Sequence, residues 1–530
     1  MELQFIGATH GVTGSAHLVK ACGKNILIDY GMPQGREEDL GYCLPLPANE
    51  IDGVLVTHSH IDHTGYLPLL SKGGFKGKIY ATGASADLAN IMLMDSANIQ
   101  EQEADWANRK AKRSGKNLIE PLYKAEDAQS VLKRFVSVDY LKDVEIFPGI
   151  TAKFYDVGHL LGSAAICLTI KEGSQERTIV FSGDVGNIDQ PLIKDPQFIK
   201  KADYILCEST YGDRLHTVVK DYREPLAQII QETFDKGGNV VIPAFAVGRT
   251  QELLYFLRDI IARKMVKGHQ IPVYLDSPLA IEAVKVFDDN IYGYFDEEAM
   301  AVVKKGIDPI NFPSLKVTVT SDESKLINFD KTPKVIISAS GMCDAGRIRH
   351  HLKHNLWRSE SCVVFVGYQA EGSFGRHLLD GAKTVKMFGE TIEVNAKIVK
   401  LDGISGHADQ KGLIRWLQGF QQPPKKLFLV HGEPTVFPIF EEKIREVLGW
   451  EVYSPYYTDT FDLLTGEQIL IGDKNVVAKE RTVQVSKVYS ALLAAVQRLT
   501  EIVKRAAGYP NEDLSAAAKE ISGLCDRLER

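Results

Sequence analysis

The chain has 530 residues, 44% of them hydrophobic, which suits two or three domains with a sizeable core. Its 62 basic and 69 acidic side chains leave a formal net charge of −7, which excludes the uniformly basic surface of a general polynucleotide binder, so nucleic-acid contact is expected to be local or assisted by bound metal cations. Seven scattered cysteines without a C-x-x-C pair indicate neither a disulfide framework nor a thiolate zinc site, and no apolar run approaches the roughly 20 residues that span a bilayer.

The opening MELQFIGATHGVTGSAHLVK lacks a basic segment followed by an apolar one and reads as strand, Gly-rich turn and strand. A cytoplasmic protein without membrane contact is expected. GATHGVTGS has the glycines of a phosphate loop but not its lysine or its following helix, and is read as a hairpin turn. Residues 25–29, NILID, form an apolar strand ending in the carboxylate of Asp29. Residues 54–63, VLVTHSHIDH, are the stretch around which the chain is organised. Val54, Leu55, Val56 and Thr57 suit a strand buried on both faces, and it ends in His58, His60, Asp62 and His63. Three imidazoles and a carboxylate on one turn are costly to bury unpaired. Imidazole with carboxylate suits Zn²⁺ and its neighbours; the bland alternative is a polar loop.

Residues 85–144 read as mostly helical, with a basic run at 110–116 that fits a solvated loop better than a phosphate contact. Strands return at 150–182. His159 in DVGHLLGS and Asp184 in FSGDVGN each follow an apolar strand beside glycine, where backbone approaches a site closely. YILCESTYGDR delivers Glu208 in the same way. Polar residues at the tips of several strands are how sheet folds build sites.

From 209 to 395 the pattern changes to strand–helix–strand, as in GNVVIPAFAVGRTQELLYFLRDII and KVIISASGMCDAGRIRHHLKH. This predicts a parallel-sheet α/β domain inserted in the first fold. From 396 the first pattern resumes. AKIVKLDGISGHADQKGLIRWL sets His407 between a strand and a helix, and KKLFLVHGEP sets His431 at a strand end. After about 475, Val485, Val488, Leu492, Val496, Leu499 and Val503, then Leu514, Ala518, Ile521, Cys525 and Leu528, follow a three–four spacing. This predicts a helical hairpin packed on the body or on a second subunit, the latter making a homodimer.

These motifs resemble those of a known group. HSHIDH, His159 and Asp184 in SGD match the ligand set of the metallo-β-lactamase superfamily. Glu208 after a strand, His407 in SGHAD and His431 in LVHGE match the added motifs of its β-CASP branch, the nucleases of RNA and DNA processing. The resemblance covers roughly residues 1–475. It implies an αββα sandwich built from 1–208 and 396–475 and a parallel-sheet α/β β-CASP domain at 209–395. It does not cover 476–530, which the apolar spacing alone makes a C-terminal helical extension. DNA-directed members generally lack a histidine at the last motif. His431 therefore makes the chain similar to the RNA-directed members, such as the endonuclease subunit of the cleavage and polyadenylation specificity factor and its bacterial and archaeal relatives.

The resemblance also implies two Zn²⁺ per subunit: His58, His60 and His159 on one, Asp62, His63 and His431 on the other, and Asp184 bridging both. Two metals about 3.5–4 Å apart lower the pKa of a water and clamp a phosphate. Asp29 is the candidate to accept a ligand histidine's second N–H and fix its tautomer. By the family pattern His407 protonates the departing oxygen while Glu208 orients it and raises its pKa; the alternative for His407 is a helix-capping residue. Arg249, Ser340, Arg347, Ser373 and Arg376, on turns at strand ends of the insert, are candidate phosphate contacts, each with a structural salt bridge as the competing role. Tyr211 is a candidate for base stacking. The expected activity is zinc-dependent hydrolysis of single-stranded RNA in the endonucleolytic mode. The alternatives are a 5′-exonuclease, an ester or thioester hydrolase on the same metals, and a scaffold without activity.

Overall fold

Alternating side chains build the first sheet. Along Ala16–Ala21 and Lys24–Ile28, Val19 and Ile26 face one apolar layer while Leu18 and Leu27 face another, as the two-residue period of a strand requires. The structure, a computed structural model, describes residues 1–37, 43–115, 117–217, 221–401, 405–472, 474, 514–515, 518–519 and 521–522. Residues Met1–Glu38 and Tyr42–Asn475 form one compact unit. The first terminal repeat predicted from sequence, Val485 to Val503, lies outside the described residues; of the second, Leu514, Ala518 and Ile521 are helical.

The first sheet has eight strands, in spatial order Gln468–Leu470, Thr460–Asp462, Glu2–Gly7, Ala16–Ala21, Lys24–Ile28, Gly53–Leu55, Lys78–Thr82 and Phe135–Val138. The opening hairpin is antiparallel, with Leu3 opposite Val19, and pairing is parallel from Lys24–Ile28 onward. The second sheet has seven: Val452–Tyr453, Lys426–Val430, Tyr204–Glu208, Gln175–Phe181, Ala164–Glu172, Ile150–Asp156 and Asp143–Phe147. Phe5, Phe154, Phe181 and Phe428 fill the space between the two sheets. Leu67, Leu93 and Val131 bring helices Leu67–Lys72, Gly83–Ser114 and Ala125–Leu132 onto the outer face of the first. Trp416 and Phe440 bring Gln410–Leu417 and Val436–Leu448 onto the outer face of the second. The result is an αββα sandwich.

The third sheet is fully parallel: Leu315–Val317, Val273–Leu275, Val335–Ser338, Val240–Pro243, Cys362–Phe365 and Lys397–Lys400. Both of its faces are covered, as a parallel sheet needs. Helices Arg223–Phe234, Arg249–Ala262 and Pro278–Asp289 pack on one side. Ser321–Phe329, Ile348–Asn355 and Phe374–Leu379 pack on the other. The long helix Gly83–Ser114 joins the two bodies, giving Leu93 and Ala97 to the sandwich and Ala84, Leu88 and Met92 to the core of the third sheet.

Residues 85–144 are mostly helical, in Gly83–Ser114 and Ala125–Leu132, and also hold two strands, Phe135–Val138 and Asp143–Phe147, which close the far edges of the first and second sheets. Three sequence expectations are corrected. The described part of the basic run at 110–116 is not a loop; Lys110, Lys112 and Arg113 lie in the last turns of the long helix, where cations oppose the negative end of its dipole. The strand expected at 54–57 ends at Leu55: the Val56 N–H still donates to the Tyr80 carbonyl (2.9 Å), but the Thr57 N–H donates to the Asp29 carboxylate (2.8 Å) and leaves the ladder. The segment read as the return to the first fold at 396 begins with Lys397–Lys400, which pairs in the third sheet with Cys362 opposite Lys397. The insert's sheet therefore runs past residue 395.

One buried charge ties the insert together. Asp276, 0% exposed, follows Val273–Leu275 and accepts from Thr318 (2.6 Å), Ser324 (2.6 Å), Arg347 (2.7 Å) and His351 (2.6 Å). Burial alone pushes its carboxyl up, but the bonds from His351, Ser324, Thr318 and Arg347 outweigh that and hold it well below the usual carboxylate range. A depressed carboxyl contributes stability that is present above the unfolded value of about 3.9 and is lost as pH falls through the folded value. Asp276→Asn is expected to be about 3–5 kcal/mol less stable than the parent at neutral pH, since the partners keep their burial and lose the charge. The gap is expected to narrow below about pH 4, in denaturant titrations of both chains; a gap of constant size would make the loss one of shape and not of charge.

Candidate metal centre

Every polar residue that the sequence places at a strand tip reaches one rim of the sandwich. His58 and His60 follow the strand Gly53–Leu55, and Asp62 and His63 lie on the single helical turn Ile61–Thr64. His159 follows Ile150–Asp156, Asp184 follows Gln175–Phe181, and Glu208 ends its own strand. His431 follows Lys426–Val430 with φ +53°, and Asp29 follows Lys24–Ile28 with φ +58°. His407 stands on a segment that docks on the Asp184 loop: it bridges Gly186, and the Ala408 N–H donates to the Val185 carbonyl at 2.7 Å. A Cβ at Gly186 would lie 1.9 Å from the Gly158 carbonyl, so this close approach of three loops requires glycine. The residue that caps the following helix is Asp409, whose side chain accepts from Gly412, which removes the capping alternative for His407.

Two groups of donors share one carboxylate. Nitrogen and oxygen atoms of His58, His60, His159 and Asp184 lie within 4.8 Å of one another, as do those of Asp62, His63, Asp184 and His431, and those of Asp184, Glu208 and His407. In the first group the nearest approaches are His58 Nε2 to His60 Nδ1 (3.0 Å), His159 Nε2 to His60 Nδ1 (3.2 Å) and His58 Nε2 to Asp184 Oδ2 (3.4 Å). In the second, His63 Nε2 is 3.3 Å from Asp184 Oδ1, and His431 Nε2 is 3.4 Å from Asp62 Oδ2. The two oxygens of Asp184 thus face different groups. Asp184 is 1% exposed and its Oδ1 accepts no hydrogen bond, an orphaned lone pair that a cation would satisfy.

The outward-facing ring atoms are held. His63 Nδ1 donates to Asp29 (2.8 Å), whose other oxygen takes the Thr57 N–H. His159 Nδ1 donates to the Gly406 carbonyl (3.1 Å), and His431 Nδ1 meets the Thr210 hydroxyl (3.1 Å). Each bond leaves the opposite nitrogen facing the shared space, the arrangement that orients histidine toward a metal.

In the first group electrostatics agree with the geometry; in the second, burial lowers His63 and His431, but Asp184, with Asp29 at His63 and Asp62 at His431, outweighs it and raises both. Burial first, then the neighbouring His63, holds His58 well below the ordinary histidine range; burial and then His407 do the same for His159. Both therefore offer lone pairs at neutral pH. Burial pushes Asp184 up, but His431, His63 and His58 outweigh it and hold the carboxyl well down. His407 differs: burial lowers it, and Glu208 and Asp184 raise it further, to about 9. Glu208 is itself held, accepting from the Val185 N–H (2.6 Å) and the Thr210 N–H (3.2 Å), and lies 3.2 Å from His407 Nδ1.

The sequence did not single out Thr57, Thr210, the Gly406 carbonyl or His17. The two threonines sit next to motif residues, in VTHSH and CESTYG, which is the signal that could have found them. His17 lies beneath the centre against Phe5 and Phe181, and burial, then His63 and His431, lower it to about 3. The expected phosphate contacts have intramolecular partners. Arg347 serves Asp276 and the Thr318 and Val319 carbonyls; Arg249 pairs with Glu252; Arg376 pairs with Asp380 at 2.8 Å. Ser373 caps helix Phe374–Leu379, and the Ser340 hydroxyl meets the Ala345 carbonyl (3.3 Å). Tyr211 packs edge-on against His407, ring centres 5.9 Å apart.

No helix among the described residues is long and apolar enough to cross a membrane. Residues 11–204 match the metallo-β-lactamase superfamily, residues 250–378 the Beta-Casp domain, and residues 391–455 the Zn-dependent metallo-hydrolase RNA specificity domain. The chain is 36% identical over 437 residues to ribonuclease TTHA0252 of Thermus thermophilus, covering 82% of this chain and 93% of that one. It is 32% identical over 434 residues to an RNase J-like protein of Methanocaldococcus jannaschii, covering 81% and 92%. It is 30% identical over 441 residues to the transcription termination factor FttA of Methanosarcina mazei, covering 81% and 66%. Shared identity along the sandwich and the insert together, with the two donor groups meeting at Asp184, establishes that the chain belongs to the metallo-β-lactamase superfamily, in the branch that carries a β-CASP domain.

Proposed function

We propose that the chain is a metal-dependent ribonuclease that hydrolyses phosphodiester bonds of single-stranded RNA, cutting within the strand, with two Zn²⁺ per subunit. The observation that carries this reading is the pair of donor groups sharing Asp184, with a third group of Asp184, Glu208 and His407 beside them. Domain matches and relatives named as ribonucleases support the substrate. His58, His60 and His159 would hold one ion, Asp62, His63 and His431 the other, and Asp184 both. The donor set fits, because all seven groups offer nitrogen or oxygen and Asp184 presents an unsatisfied oxygen. When bound, such ions act as Lewis acids on a phosphoryl oxygen and lower the pKa of water.

The chain's own residues do the rest. Glu208 fixes the Nδ1 side of His407, turning Nε2 toward Asp184 at 3.9 Å. His407 keeps its proton at neutral pH and gives it to the departing ribose oxygen. Its 22% side-chain exposure lets substrate reach it, while Glu208 at 0% stays out of reach. Glu208 is thus a positioning residue and His407 a catalytic one. The sandwich supplies the ligands, and the insert, from the end of Tyr204–Glu208 to the end of Lys397–Lys400, supplies the wall along which the strand lies.

Zinc-loaded protein is expected to cut a labelled single-stranded RNA internally, and a chelator to abolish cutting; a protein that holds zinc, cleaves a thioester and leaves RNA intact would overturn the reading. His407→Ala is expected to slow RNA cleavage by about 10²–10⁴-fold with zinc content unchanged. The same variant is expected to hydrolyse bis(p-nitrophenyl) phosphate at the parent rate, since nitrophenolate leaves without a proton. Equal losses on both substrates would remove the proton-donor role. Asp29→Ala is expected to weaken zinc retention against a competing chelator by about 10–100-fold, through loss of the His63 tautomer; unchanged retention would reduce Asp29 to a turn residue.

A further inference from the structure

The loop that follows strand Tyr204–Glu208 grips His407 from two sides. At its start Glu208 lies 3.2 Å from His407 Nδ1. At its end His216 Nε2 donates to the His407 carbonyl at 3.1 Å. A carbonyl only accepts, so His216 carries a proton on Nε2. Between the two grips the Tyr211 ring stands at 75° to both imidazoles, its centre 4.8 Å from that of His216 and 5.9 Å from that of His407. The loop is docked along its length. The Gly212 carbonyl takes the Gln410 side-chain amide (2.7 Å), the Arg214 carbonyl takes the Gln410 backbone N–H (3.0 Å), and the Asp409 carboxylate takes the His216 backbone N–H (3.0 Å).

The two grips act on different parts of the residue. Residues 405–409 belong to neither a helix nor a strand, and His407 meets the Asp184 loop through an isolated bridge to Gly186. A bond to the ring alone leaves the residue free to pivot about its main chain, and a bond to the main chain alone leaves the ring free to turn. With Glu208 on the ring and His216 on the main chain, the direction of Nε2 is fixed. Ser405 also donates to the His407 carbonyl (3.2 Å) and accepts the His407 N–H (3.2 Å), but it stands two residues away and moves with the same segment. His216, 191 residues away in sequence, ties that segment to the strand that carries Glu208. The metal side of the loop is served separately, by Thr210 at His431 Nδ1 (3.1 Å). Among the described residues, the His216 ring forms no hydrogen bond or ion pair with a proposed metal ligand.

We infer that His216 is a positioning residue for proton transfer: it fixes the main chain of His407 so that the Nε2 proton points at the departing oxygen. The inference rests on the ribonuclease reading above and adds to it a residue that touches neither the reacting atoms nor the metals. A general acid acts within about 2.6–3.2 Å of the atom it protonates, and a misplacement of about 1 Å costs about 10²-fold in rate. Removing the His216 N–H gives the His407 segment that freedom while Glu208 stays on the ring. The loss falls on the step that needs the proton, which is read in kcat for RNA, and not on strand binding or on the metals.

The test compares the zinc-loaded full chain with its His216→Phe and His216→Gln variants, on single-stranded RNA and on bis(p-nitrophenyl) phosphate, whose leaving group needs no proton. Phenylalanine keeps a ring against Tyr211 and, like any residue at this position, the backbone bond to Asp409; it loses the ring N–H. Glutamine puts an amide N–H in its place. His216→Phe is expected to lower kcat for RNA about 10–100-fold with the parent's KM, zinc content and nitrophenyl rate. His216→Gln is expected to recover most of the lost rate. If the parent cuts RNA and His216→Phe cuts it equally fast, the role of His216 is overturned and the ribonuclease stands. Equal losses on both substrates, loss of zinc, or a glutamine variant as slow as the phenylalanine one would overturn the role as well, since the residue would then hold the loop or the metals and not the acid. A parent that holds zinc, cleaves the nitrophenyl ester and leaves RNA intact would overturn the ribonuclease reading and the inference with it.

Discussion

The buried carboxylate of Asp184 is the constraint on which the rest depends. It is 1% exposed and faces five imidazoles, those of His58, His63, His159, His407 and His431. Burying an ionised group costs several kcal/mol unless charge or hydrogen bonds offset it, and neutral imidazoles offset only part. The sheet order solves the problem of assembly. Gln175–Phe181, Tyr204–Glu208 and Lys426–Val430 are consecutive parallel neighbours, with Phe181 opposite Leu206 and Glu208 opposite Val430. Neighbouring strands run about 4.8 Å apart, so the residues that leave their ends, Asp184, Glu208 and His431, must meet. In the other sheet Ile28 lies opposite Leu55, which carries Asp29 to Thr57 and so to His63. Residues hundreds of positions apart become neighbours through two registers.

The same registers explain which residues are legible from sequence. A polar residue close after buried apolar ones has few places to go except the rim of a sheet: His431 directly follows Leu427–Val430, His159 and Asp184 stand just past the strands that end at Asp156 and Phe181, and His58, His60, Asp62 and His63 announce themselves as one cluster. The supporting groups do not. The Gly406 carbonyl, which orients His159, is backbone and carries no residue-type signal. Thr57 and Thr210 look like ordinary strand-end threonines until Asp29 and His431 are seen beside them. The edges of the sheets are illegible for a related reason. Lys397–Lys400 reads KIVK, half-exposed in either sheet, and only its pairing with Cys362–Phe365 decides which. Phe135–Val138, a few residues after a helix, is too short a run for its period to show.

The arginines of the insert show the same limit in another form. A cation on a turn after a strand suits a phosphate and an internal carboxylate equally, and the sequence does not reveal which acceptor is near. For Arg347 the acceptor is Asp276, 71 residues earlier, together with two carbonyls. That guanidinium is committed: moving it to a ligand would leave Asp276 buried with one bond fewer, at a cost of several kcal/mol that one exposed phosphate contact does not return. Such residues hold the strand ends of the insert still.

A chain of net negative charge can nonetheless hold a polyanion, because the two charges act over different ranges. At physiological salt an exposed charge is screened beyond about 8 Å, so the excess of acidic residues spread over 530 positions contributes little inside a narrow site. What a phosphate meets there is local: the protonated His407 held by Glu208 and the ions that the Asp184 groups are proposed to take. Non-specific affinity for duplexes, which scales with the number of phosphates neutralised, stays low on the rest of the surface. On the proposed reading, the phosphate must come against His407, 22% exposed, and the ions together, and a flexible single strand meets that requirement more readily than a stiff helix, without any contact that reads a base.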